Sequence, residues 1–119
     1  MRPDVFIVAG EASGDILGAN LMKALALQNP HLTFAGVGGE NMESIGLKSL
    51  IPMRELSIMG IFEIIPHLFK IYKNIKIVKN AISYMRPKAV VTIDSPGFNR
   101  YIAKFAKKLN IPVVHYVAP

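Results

Sequence analysis

The chain has 119 residues, 51% of them apolar and 18% charged, with a formal net charge of +6. That length and balance describe one small folded domain with a core of its own and exclude a disordered or fibrous chain. There is no cysteine, which excludes disulfides and thiolate metal sites and fits a reducing compartment. The start, Met1-Arg2-Pro3-Asp4, lacks the apolar core of a secretion signal, and no run reaches the ~18 uninterrupted apolar residues of a spanning helix. The expectation is a cytoplasmic protein, soluble or peripheral on a membrane.

Val5 to Ala9 is a short continuous apolar run ending at Gly10, the pattern of a buried parallel strand. From about Gly14 to Gln28, Ile16, Leu17, Leu21, Ala24 and Leu25 recur at helical spacing, and Asn29-Pro30 stops the helix. Leu32 to Val37 is the second strand, closed by Gly36, Gly38 and Gly39. A short helix over Asn41–Ile45, a turn at Gly46 and a brief strand over Leu47–Leu50 are expected next. Ile61 to Met85 is helical, with Pro66 as a kink or start. Ile71, Ile75, Val78, Ile82 and Met85 share one face, which should pack on the sheet. Lys88 to Ile93, Gly97 to Leu109 and Pro112 to Val117 read as strand, helix and strand, with Ile102, Phe105, Ala106 and Leu109 inward. This order predicts an α/β fold: a Rossmann-like parallel sheet with right-handed crossovers and helices on both faces.

The charge is unevenly placed. No acidic residue lies between Glu63 and Asp94, whereas Lys70, Lys73, Lys76, Lys79, Arg86 and Lys88 all do. Such a stretch favours an anionic partner, or is an ordinary solvated helix face. The segment from Leu56 to Phe69 is unusually apolar. Ile58, Met59, Phe62, Ile65 and Phe69, bordered by Lys70, Lys73 and Lys76, make the pattern of an interfacial membrane helix. A packing surface against another domain has the same pattern.

In a parallel sheet, ligands sit at the carboxyl ends of the strands. Two segments there carry chemistry. The first is Gly10-Glu11-Ala12-Ser13-Gly14-Asp15. Its small residues let backbone N–H groups approach a ligand at a helix N-terminus. It is neither a P-loop nor a dinucleotide G-x-G-x-x-G motif. Glu11 and Asp15 suit sugar hydroxyls better than phosphate, since carboxylates only accept. The alternative is a tight turn with Ser13 or Asp15 capping a helix. The second segment is Ile93-Asp94-Ser95-Pro96-Gly97-Phe98-Asn99. Asp94 reads either as a general base or as an Asx cap, and Asn99 either as a sugar-binding amide or as a first-turn polar residue. Gly38 and Gly39 form a weaker third candidate, since glycine clusters often mark only turns. His31, His67 and His115 have no metal-ligand spacing, so no metal site is expected. His115 reads as a hydrogen-bonded buried histidine.

The motifs Gly10–Asp15, Gly36-Val37-Gly38-Gly39-Glu40-Asn41-Met42, Leu56-Ser57-Ile58-Met59-Gly60 with Glu63, and Ile93–Asn99, with the closing Tyr116-Val117-Ala118-Pro119, stand in one order along the chain. In that order they resemble lipid-A-disaccharide synthase. The resemblance implies an inverting glycosyltransferase of the two-domain GT-B type, acting in lipid A biosynthesis. Residues 1–119 would be its single Rossmann-like, acceptor-side N-terminal domain, cut short and without the C-terminal nucleotide-sugar domain. The implied reaction joins UDP-2,3-diacylglucosamine to the 6-hydroxyl of 2,3-diacylglucosamine 1-phosphate (lipid X), without metal or other cofactor. The implied location is the cytoplasmic side of the inner membrane, bound peripherally. Asp94 is then the base. Gly10, Glu11, Ala12, Ser13, Gly14, Asp15, Gly38, Gly39 and Asn99 contact substrate, and this chain alone is expected to be inactive. Two rival readings are a flavodoxin-like nucleotide or flavin module and a basic membrane- or nucleic-acid-binding module. Against the first, there is no Trp and no aromatic in the Gly10–Asp15 loop to stack a flavin. Against nucleic acid, no aromatic platform is interleaved with the lysines.

Overall fold

A computed structural model of the chain describes residues 2–57, 68–94 and 96–116. Its elements run β1 (Val5–Ala9), α1 (Ala12–Gln28), β2 (Phe34–Val37), α2 (Glu40–Ser44), α3 (Arg54–Ser57), α4 (Leu68–Met85), β3 (Ala89–Ile93), α5 (Pro96–Lys108) and β4 (Val113–Tyr116). The strands form one sheet in the order β2-β1-β3-β4, and every pairing is parallel. Alternation along the strands splits the core in two. Phe6, Val8 and Val90 meet Val78 and Ile82 of α4 and Phe98, Ile102 and Ala106 of α5. Ile7, Ala9, Val91 and Ile93 meet Ala19 and Met22 of α1 and Met42 of α2. Helices therefore cover both faces, and the Rossmann-like expectation holds.

The helix face of α1 differs from the expected stripe. The helix buries Gly14, Asp15, Gly18, Ala19 and Met22, whereas Ile16 is 54% exposed. The reason is close approach. A Cβ on Gly18 would lie 2.6 Å from Met42 Sδ, and one on Gly14 would lie 3.4 Å from Ile93 Cγ2. The contact is closest at Gly18, and the buried face is completed by Ala19 and Met22, while the leucines of the helix lie to its flanks.

Other boundaries move modestly. Strand β2 begins at Phe34, and the brief strand near Leu47–Leu50 is a single bridge, Gly36 to Ser49. The one-turn helix α3 has no signal strong enough to separate it from a loop. Ile61–His67 lies outside the described residues, and α4 is described from Leu68 onward. Ile75 and Met85 pack beside buried Val78 and Ile82, as the apolar stripe predicts. Lys73 and Lys76 are exposed, but Lys79 is half-buried, its Nζ 5.5 Å from the centre of the Phe105 ring. Helix α4 closes through Arg86 in the left-handed region (φ 49°) just before Pro87. Among the described residues, no helix is long and apolar enough to cross a membrane.

Candidate functional site

Strand β1 leads through α1 to β2 on one side of the sheet, and β3 leads through α5 to β4 on the other. The crevice between the carboxyl ends of β1 and β3 is therefore the point where the winding reverses, the place where open α/β sheets bind ligands. The register brings the two ends level, with Ala9 opposite Ile93. The loop after Ala9 and the turn at Asp94 consequently stand side by side.

On the β1 side, Glu11, Ala12 and Ser13 are exposed, while Gly10, Gly14 and Asp15 are buried. Glu11 occupies the N-cap position of α1 with extended backbone and makes no side-chain cap. The first-turn N–H groups of α1 thus receive no side-chain cap from Glu11. On the β3 side, Asp94 takes a left-handed conformation (φ 46°) that Asp and Asn tolerate better than most residues. Its N–H donates to the carbonyl of Tyr116 at 3.1 Å. Its carbonyl accepts from Asn99 Nδ2 at 2.8 Å, and the same amide group donates to the Ile93 carbonyl at 3.1 Å. Asn99 is 1% exposed. Its amide nitrogen is thus spent on shaping the strand end, which leaves only Oδ1 for the expected role of a sugar-binding amide.

Asp15 also departs from its expected role as a hydroxyl hook. It is 3% exposed. Its Oδ1 accepts from the backbone N–H of Gly39 and Met42, both at 2.9 Å. Its Oδ2 accepts from the N–H of Asn41 at 2.9 Å and from Asn41 Nδ2 at 3.1 Å. A carboxylate borne by α1 thereby caps the start of α2, where the exposed backbone donors favour negative charge. Gly38 and Gly39 follow from this clamp. A Cβ on Gly39 would lie 2.7 Å from Asp15 Oδ2, and one on Gly38 would lie 2.4 Å from Met42 Sδ. Gly38 N–H donates to Ser49 Oγ at 3.1 Å. Packing, not ligand approach, requires glycine at both positions, although both line an open cavity of about 530 Å³ facing Met53 and Arg54.

Among the residues expected at a membrane, Ile58, Met59, Phe62 and Ile65 lie outside the described residues, and Phe69 and Lys70 fall in the first turn of α4. Lys73 and Lys76 are exposed beside Tyr72, which is 69% exposed. One pair escaped the sequence. Thr92 Oγ1 lies 2.6 Å from His115 Nδ1. These residues are 23 apart in the chain and meet only through the β3–β4 register. His115 is hydrogen-bonded as expected but exposed, because β4 is an edge strand.

A family model described as Lipid-A-disaccharide synthetase matches residues 5–119. The chain belongs to the lipid-A-disaccharide synthetase family. It is 48% identical over 115 residues to the lipid-A-disaccharide synthase of Gluconobacter oxydans, covering 97% of this chain and 28% of that protein. It is 47% identical to that of Granulibacter bethesdensis, over 98% of this chain and 30% of the relative. The synthase of Alcanivorax borkumensis is 48% identical over the same shares. The chain thus spans under a third of the length of these relatives.

Proposed function

We propose that this chain is the acceptor-side domain of a lipid-A-disaccharide synthase. It would work with a second domain that holds the nucleotide sugar, on the cytoplasmic face of the inner membrane. The reaction transfers 2,3-diacylglucosamine from its UDP donor to the 6-hydroxyl of lipid X with inversion. The acceptor oxygen attacks the donor's anomeric carbon. The bond to UDP breaks with its electron pair going to UDP, and the hydroxyl proton passes to the Asp94 carboxylate. The carrying observation is the juxtaposition of Asp94 with the exposed Glu11–Ser13 loop at the switch crevice. Glu11 accepts from sugar hydroxyls there, and the α1 N-terminus receives negative charge. The exposed Tyr72, Lys73 and Lys76 of α4 support contact with an anionic membrane surface.

The test is Asp94→Asn in the intact two-domain enzyme, followed by UDP release with both lipid substrates. If Asp94 is the base, turnover falls by roughly 10²-fold or more. A loss under about tenfold overturns that role. The 119-residue chain alone should release no UDP, and robust turnover by it would overturn the two-domain reading.

A further inference from the structure

Beyond the switch crevice, α5 and the ends of β3 and β4 enclose a cleft of about 350 Å³. Thr92 and Asn99 form its buried wall, and Arg100, Lys107 and His115 form its exposed rim. Three features set it apart. Asn99 Oδ1 is buried and, among the described residues, has no hydrogen-bond partner. Its orientation is determined, because Nδ2 on the other side of the amide donates to two carbonyls. A buried acceptor without a donor is costly and calls for an explanation. His115 has Nδ1 held 2.6 Å from Thr92 Oγ1, which fixes the ring and leaves Nε2 for another group. Finally, two cations border the cleft, and among the described residues no carboxylate lines it.

From this we infer that the cleft is a binding subsite for a phosphate monoester on a hydroxylated carrier, such as a sugar 1-phosphate. Arg100 and Lys107 meet the phosphate charge, with Arg100 able to donate two parallel bonds. With Nδ1 accepting from the Thr92 hydroxyl, His115 Nε2 provides a further donor. Asn99 Oδ1 is enclosed in the wall behind this rim, so its donor is a single water held between the wall and the carrier. The subsite adjoins the proposed base without overlapping it, since Asn99 bonds the Asp94 carbonyl at 2.8 Å. It deepens the proposed function by giving the charged end of the acceptor a place, and it rests on that reading only for which phosphate ester arrives.

The experiment is an NMR titration of the 119-residue chain, labelled with ¹⁵N, using glucosamine 1-phosphate, glucosamine, sodium sulfate, and vesicles with or without phosphatidic acid as separate probes. Glucosamine 1-phosphate should move the His115 ring signals, the Asn99 side-chain amide and the amides of residues 100–107. Binding should weaken about tenfold or more in the double variant Arg100→Gln, Lys107→Gln, two exposed positions where the fold is not at stake. The same shifts with phosphatidic acid vesicles, and not with the soluble ester, would assign the phosphate to a lipid headgroup and still support the subsite. Equal shifts with sulfate, or binding unchanged in the double variant, would overturn it. Glucosamine moving only residues 10–13 and 94 while the cleft stays silent to every phosphate probe would overturn the cleft and leave the proposed acceptor site standing.

Discussion

Two glycine-and-carboxylate loops stand at the same edge of this sheet, and they do opposite things. Around β2, Gly38, Gly39 and Asp15 form a closed set: four N–H donors saturate one carboxylate, and the missing Cβ atoms make room for it. Around the ends of β1 and β3, Glu11 and Ser13 are exposed, and Asp94 is held in place through its backbone. Residue type and position in the sheet are the same in both. What separates them is exposure: the first set is buried and bonded within the protein, whereas Glu11 and Ser13 of the second face solvent, where the proposed acceptor would meet them. A carboxylate whose acceptor capacity is consumed by buried backbone donors organises a loop, and an exposed one such as Glu11 can meet a solute.

Asp15→Ala should break the comparison most sharply. It strips four hydrogen bonds from a buried carboxylate and strands the N–H groups of Gly39, Asn41 and Met42. The expected loss is at least about 3 kcal/mol, a large share of a small domain's stability, and urea unfolding measures it. Wild-type stability in this variant would show that the loop is held by something else. Asp94→Asn should do the reverse. Asn tolerates the left-handed backbone that Asp94 adopts, so stability should change by less than about 1 kcal/mol while turnover in the intact enzyme collapses.

Glu11→Gln sharpens the open side further. The residue is exposed and caps nothing, so unfolding should shift by no more than about 0.5 kcal/mol. If Glu11 holds an acceptor hydroxyl, the acceptor KM in the intact enzyme should rise by about tenfold with kcat little changed. The smallest effect belongs to a carboxylate at the opposite end of the sheet. Asp4 Oδ2 accepts from the Thr33 N–H at 2.9 Å, and Lys88 Nζ lies 3.0 Å from Oδ1. The Thr33 backbone bond first, then Lys88, hold the Asp4 carboxyl below its ordinary 3.8. A folded pKa below the unfolded one stabilises at pH above 3.8, and that contribution is lost as the pH falls through the folded value. Urea midpoints of the wild type and Asp4→Asn should therefore converge as the pH drops below this range, and a constant gap between them would exclude the linkage.

Much of the architecture could be read along the chain. The apolar runs at Val5–Ala9 and Ala89–Ile93 are buried on both faces, and that removes the alternation that would otherwise make strands ambiguous. The stripe through Ile75, Val78, Ile82 and Met85 was legible because period 3.6 survives wherever a helix lies on a flat apolar face. Helix α1 defied the same rule, since its buried face runs through Gly14, Asp15, Gly18, Ala19 and Met22, and hydrophobic spacing reports neither a glycine contact nor a buried carboxylate.

Amino-acid order was sufficient for the succession of strands and helices, the parallel class of the sheet, the family, and the two loops that carry the candidate chemistry. Local patterns encode these, because each depends on a few residues near one another in the chain. Tertiary structure alone decided that the Asp15 carboxylate is structural, that Asn99 shapes a strand end, and that Thr92 meets His115. Each of those outcomes is a hydrogen bond between groups that chain order does not place together, and burial decides whether such a group needs a partner from within the protein or awaits one from outside.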